Sequence, residues 1–271
     1  MTAQEKLQSR TSLGYHIAVG LDTDINKIPQ HLRSLAEPEL EFNKRIIDAT
    51  ADTAACYKIN FAFYEKDGAR GLELLHRTIE FIPSEIFIIG DAKRGDIGNT
   101  SAMYAREVFE HFNLDAVTLH PYMGYDSVEP FLQYKDKISY ILALTSNKGS
   151  QDFEKLVLSD GRQLFQHVIE TVSRWNTNSN CGLVFGATNS QELHDNAGSF
   201  GQMPVLLPGI GAQGGSLEDT VKAFASRNIN SYLINVSRSL LYKESGEDFA
   251  RASKGELDSL NEAIAELSAA Y

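Results

Sequence analysis

The chain has 271 residues, 42% hydrophobic and 23% charged, with a formal net charge of −11 at pH 7. That length supports one large α/β barrel or two smaller domains, and the acidic balance argues against non-specific nucleic-acid binding. No apolar run approaches the roughly 20 residues of a bilayer span, the start MTAQEK lacks the apolar core of a signal peptide, and two cysteines cannot make a disulfide framework, so a cytoplasmic protein with no membrane partner is expected.

Eight short apolar runs read as buried strands. The first, 16–22 (HIAVGLD), ends in Asp22. A helical pattern over 39–54 follows, with Leu40, Phe42, Ile46, Ile47 and Ala51 on its apolar positions and Pro38 where a first turn begins. The second run, 55–63 (ACYKINFAF), holds Lys58 and Asn60 inside an otherwise apolar stretch, and the next helix covers 69–82. The third, 85–91 (EIFIIGD), leads into DAKRGDIGNT at 91–100, ahead of a helix over 99–112. The fourth and fifth are 116–120 (AVTLH) and 138–145 (ISYILALT), the latter ending beside Ser146. A helix over 153–175 and a polar loop at 176–180 precede the sixth, 182–187 (GLVFGA). The seventh, 203–207 (MPVLL), opens into PGIGAQGG; a helix over 216–226 leads to the eighth, 231–236 (SYLINV), followed by Ser237-Arg238-Ser239 and a helix over 247–270.

Strand–helix alternation implies parallel strands with crossover helices, and eight repeats in about 250 residues is the size of a (β/α)8 TIM barrel. A single barrel domain over 1–271 is therefore expected, since no linker or low-complexity stretch divides the chain. A doubly wound open sheet is the competing architecture, but no GxGxxG follows the first strand.

In such a barrel the chemistry lies at the carboxyl ends of the strands, and there the charged residues gather. Asp91 and Lys93 are two apart, so they point the same way if the strand continues, with Asp96 on the loop beyond. Such a cluster costs desolvation energy unless its members pair. The bland reading is a structural ion-pair network. The glycines after the seventh strand, Gly211 among them, let backbone N–H groups approach an anion, and Arg238 supplies a forked guanidinium, so a phosphate ester is the expected substrate.

DAKRGDIGNTS, the Lys58 strand, PGIGAQGG and the terminal SRS agree in order and spacing with one family. From about residue 18 to 242 the chain resembles the orotidine 5′-phosphate decarboxylases, in their longer bacterial-type branch. The resemblance implies conversion of orotidine 5′-phosphate to UMP and CO2, the last step of pyrimidine synthesis, with no metal or organic cofactor. It implies that Lys93 stabilises negative charge at C6 and donates the proton, that Asp91 lies near the departing carboxylate, and that Lys58 bridges Asp91 to the ribose. It further implies ribose contacts from Asp22 and Asn60, a pyrimidine contact from Ser146, a base-to-phosphate link from Gln213, and a homodimer in which Asp96 and Thr100 reach the neighbouring site. His120 is expected to have a structural or pocket-wall role. Two other readings stay open: a metal-dependent sugar-phosphate decarboxylase on a similar barrel, against which Lys58 would repel a cation, and a nucleotide-binding homologue without turnover.

Overall fold

In the computed structural model, which describes residues 1–210 and 214–271, eight parallel strands close into a barrel in sequential order, β1 pairing with β8. They are β1 Ile17–Gly20, β2 Cys56–Asn60, β3 Phe87–Arg94, β4 Ala116–Leu119, β5 Ile138–Leu144, β6 Cys181–Phe185, β7 Val205–Leu207 and β8 Tyr232–Val236. Around them run α1 Ala3–Thr11, α2 Pro38–Thr50, α3 Ala62–Glu65, α4 Gly68–Glu80, α5 Gly98–Arg106, α6 Tyr125–Leu132, α7 Leu164–Trp175, α8 Ser190–Asn196, α9 Leu217–Ala225, α10 Arg238–Leu241 and α11 Phe249–Ala269. The end of α5 loosens into a π turn, Glu107–His111. Among the described residues no helix is long and apolar enough to cross a membrane.

The period of two along each strand sorts the core. Ala18, Cys56, Phe87, Ile89, Ala116, Tyr140, Val184, Leu206 and Leu233 fill the lumen, while Ile17, Val19, Tyr57, Ile59, Val117 and Ile234 pack outward under the helices. Pro38 does begin α2, whose Leu40, Phe42, Ile46 and Ile47 are buried. Both cysteines open strands; burial pushes the Cys181 thiol up to about 12 and Cys56 higher still.

Three local expectations are corrected. The strand expected over 55–63 stops at Asn60, whose Oδ1 accepts the Ala62 N–H (3.2 Å) and turns the chain into α3. Phe61 is apolar because its ring packs edge-on against Phe112, not because it lies in the sheet. The helix expected over 153–175 begins only at Leu164; before it lie a 3₁₀ turn at Lys148–Asp152 and a Val157–Gln163 antiparallel bridge. The amino-terminal segment, unassigned by pattern, forms α1 with a Thr2/Glu5 capping box. It closes the barrel floor: Ala3 and Leu7 join the lumen core and Lys6 pairs with buried Asp115 at 3.0 Å.

Candidate active site

The same parity that puts Cys56 in the lumen puts Lys58 there, one layer higher. It likewise aims Asp91 on β3, Thr118 on β4 and Asn235 on β8 inward, beneath the carboxyl-end rim. Lys58 Nζ lies 3.0 Å from Asp91 Oδ2 and 3.4 Å from Asp22 Oδ1, and Lys93 Nζ lies 2.5 Å from Asp91 Oδ1. The order Asp22–Lys58–Asp91–Lys93 is thus a continuous chain of alternating charge. Burial alone would push the Asp91 carboxyl up; the Lys58 and Lys93 ammoniums outweigh it and hold it well below the usual carboxylate range. Burial would likewise lower Lys58, but Asp91 and then Asp22 raise it above the usual lysine range. The Lys93 side chain, half exposed, is the member that faces the opening.

Lys93 reaches Asp91 by a route the pleat does not provide. Strand β3 continues to Arg94, but its register on β4 passes from Gly90–Val117 to Arg94–Leu119, four residues against two. Inside this bulge Lys93 is left-handed, with φ of 47°. For a residue with a Cβ that conformation costs roughly 1–2 kcal/mol. Thr118 offsets the cost: its Oγ1 accepts the Lys93 N–H (3.0 Å) and donates to Asp91 Oδ1 (2.9 Å). Sequence reasoning passed over Thr118. Its signal was a lone hydroxyl at an inward position of an apolar run.

On the opposite wall Ser237 Oγ donates to Asp22 Oδ2 at 2.8 Å and sits against Gly20, where a Cβ would stand 1.9 Å from that oxygen. Glycine is required there by close approach. The Asp22 backbone is pinned twice: Tyr242 OH donates to its carbonyl (3.2 Å), and Tyr64 OH donates to the preceding Leu21 carbonyl (2.9 Å). Tyr64 in turn accepts from buried Asn43, which also bonds Thr23 and Thr78. Asp22, Asn235, Ser237, Arg238 and Gly209 line a cleft of about 120 Å³ between the β1, β7 and β8 ends. Gly209 and Gly214 have φ of 106° and 88°, and the Gly215 N–H meets the Gly209 carbonyl at 2.9 Å. Gly211 and Gln213 lie outside the described residues.

The remaining expected residues fall around this centre. Asn60 pairs with Asp91 in the β2–β3 register but spends its Oδ1 on the Ala62 N–H. Ser146 follows β5, its carbonyl accepting from Thr188 (3.3 Å), and Gly186 packs against its backbone. Thr145 beside it is held by Glu154, whose carboxylate accepts its N–H at 2.7 Å. Asp96 is not drawn into the charge chain: its Oδ1 accepts the Ile97 N–H (2.8 Å), and Thr100 is exposed on α5. His120 packs against Gly95, consistent with a wall residue. Among the described residues no group of three or more side chains gathers as a metal site.

Residues 17–252 match the model of the orotidine 5′-phosphate decarboxylase / HUMPS family. An orotidine 5′-phosphate decarboxylase of Porphyromonas gingivalis is 47% identical over 262 residues, covering 94% of each chain, and one of Herpetosiphon aurantiacus is 44% identical over 255 residues, again covering 94% of each. The solved Leishmania donovani OMP decarboxylase superposes with a TM-score of 0.80 at 37% identity, over 96% of this chain and 99% of that one. Full-length likeness, a closed eight-stranded barrel and an intact Asp/Lys cluster at its mouth agree: the chain belongs to the orotidine 5′-phosphate decarboxylase family.

Proposed function

We propose how this chain carries out its reaction, the decarboxylation of orotidine 5′-phosphate to UMP and CO2. The C6–carboxylate bond breaks, its electron pair stays on C6, and CO2 leaves. Lys93 Nζ stabilises the developing charge and transfers a proton to C6, then regains one from water. The carrying observation is the Asp22–Lys58–Asp91–Lys93 chain, which holds a half-exposed ammonium against a buried carboxylate. Its charges are set before substrate arrives, so little reorganisation is needed as charge develops. Asp91 lies beside the leaving carboxylate, Asp22 and Asn60 contact the ribose, Ser146 the pyrimidine edge, and Arg238, with Gly211 and Gln213, the phosphate end. Lys58 sets an ammonium on the second strand beside Asp91 of the third, where the metal-dependent alternative would need a cation. Loss of orotidine 5′-phosphate ultraviolet absorbance in excess EDTA tests this reading. Turnover should be undiminished; a rate restored only by Mg2+ would favour the metal-dependent alternative, and UMP binding without turnover the non-catalytic one.

Arg238 touches no reacting atom, yet Arg238→Ala should lower kcat/KM by about 10- to 100-fold, because a charge-assisted contact to phosphate supplies binding energy that organises the reacting end. Steady-state kinetics check this, and a near-wild-type value would remove Arg238 from the site.

The functional unit is a homodimer, in the cytoplasm, with shared sites. This rests on the rim of α5, where Ile97 and Met103 are exposed beside Asp96 and Thr100. A second copy would cover the apolar pair and receive the polar one. Mixing inactive Lys93→Ala with inactive Asp96→Ala should then recover about a quarter of wild-type activity, since half of randomly paired dimers are hybrids with one intact site. No recovery in proven heterodimers would count against sharing.

A further inference from the structure

Arg94 follows Lys93 in the chain, and its guanidinium is held in the barrel wall by two carboxylates and two aromatic rings. One Nη lies 2.5 Å from Glu65 on α3 and 3.2 Å from Glu107 on the π turn. Its planar group stands over the Phe61 ring at 5.4 Å and over the Tyr104 ring at 5.0 Å. The Arg94 carbonyl accepts the His120 N–H at 3.2 Å, and its side chain is only 17% exposed. Among the described residues, these partners lie apart from Asp22, Lys58, Asp91 and the cleft between the β1, β7 and β8 ends. Its neighbour Lys93, by contrast, sits in a left-handed bulge that lysine does not favour.

We propose that Arg94 is a positioning residue for the reaction. By tying the far end of the bulge to α3 and the π turn, it holds Lys93 where Nζ meets Asp91; this rests on the reading of Lys93 as proton donor. Two anchors bracket the strained residue. Thr118 holds the Lys93 N–H from the lumen, and Arg94 holds the next residue from the wall. With the outer anchor gone, the strand end can relax toward an ordinary pleat, and Lys93 leaves its place while the phosphate cleft at β1, β7 and β8 is untouched. The clamp demands a guanidinium. A flat guanidinium lies against two aromatic rings while one Nη meets both carboxylates; a compact, strongly hydrated ammonium loses that stacking. The π turn has a role in the same device, since it carries Glu107 to the clamp.

The test uses Arg94→Lys and the milder Glu107→Gln, which keeps the Glu65 carboxylate of the clamp and guards against an unfolded first variant. Three quantities are measured: kcat, the Kd for UMP, and amide hydrogen exchange at Lys93. In Arg94→Lys, kcat should fall about 100-fold with the UMP Kd within about two-fold of wild type, as expected for displacement of one reacting group. Exchange at Lys93 should accelerate, and Glu107→Gln should fall between. An unchanged kcat, a loss of UMP affinity matching the loss of kcat, or an unchanged Lys93 exchange rate each overturns the proposal and leaves Arg94 a stabilising ion pair. Failure of the underlying reading is separable: Lys93→Ala would retain turnover, whereas the exchange rate still reports whether Arg94 holds residue 93.

Discussion

Lys93→Ala should lower kcat/KM by at least about 10⁴-fold while leaving the fold intact. Two separate contributions are lost at once. A positioned proton donor supplies typically 10²–10⁴-fold, and one preorganised group aimed at developing charge supplies about 10²–10³-fold. The stability cost is small by comparison. The Lys93 side chain is 50% exposed and pairs with Asp91, which keeps Lys58 as a second partner. Pairs so open to water contribute at most about 1 kcal/mol. The measurement is ultraviolet loss of orotidine 5′-phosphate beside a thermal melt. Turnover within ten-fold of wild type in a protein of unchanged Tm would sink the assignment of Lys93 as donor.

Asp91→Ala should do the most damage to stability. Asp91 is the hub of the cluster, accepting from Lys58, Lys93 and Thr118. Removing it leaves the Lys58 ammonium buried with Asp22 alone, 3.4 Å away. Stripping one partner from a buried pair costs about 3–5 kcal/mol, which in a chain of this size lowers Tm by roughly 10 °C. The pH dependence identifies the cause. The folded pKa of Asp91 lies below its unfolded value, so its stabilisation is complete above about pH 4 and is lost as pH falls toward the folded value. Lys58 is raised, so its share persists below about pH 10.4 and is lost only as pH climbs through the folded value. Denaturant midpoints compared between pH 7 and pH 3 should drop more steeply in the wild type than in Asp91→Ala. Equal drops would show that the acid sensitivity arises elsewhere.

Much of this was readable because it is local or periodic. Lys58 inside ACYKINFAF stands out because a charge in a buried run must have a partner, and Asp91 on the neighbouring strand provides it. The strand runs themselves emerge because a parallel sheet buried on both faces is nearly continuous in apolar residues. The same property misled at 61–63, where Phe61 is aromatic because its ring packs edge-on against Phe112. At 153–163 the helical pattern is broken by Ser159-Asp160-Gly161, where Gly161 has φ of 84°, and the Glu154 carboxylate is spent holding Thr145 at the end of β5.

Alternation of residue type along the chain, by itself, determined that there would be eight strands and that their carboxyl ends would carry the charges. Period-two geometry acts over a few residues, so composition is enough to reveal it. Tertiary structure alone decided the rest. The bulge that turns Lys93 left-handed exists through the β3–β4 register and the Thr118 hydroxyl, and the Arg94 clamp draws Glu65 and Glu107 from two other elements. Asp22 is fixed by Ser237 and Tyr242 from the far end of the sequence. A strained backbone persists only where contacts distant in sequence over-determine it, and no local propensity encodes those contacts.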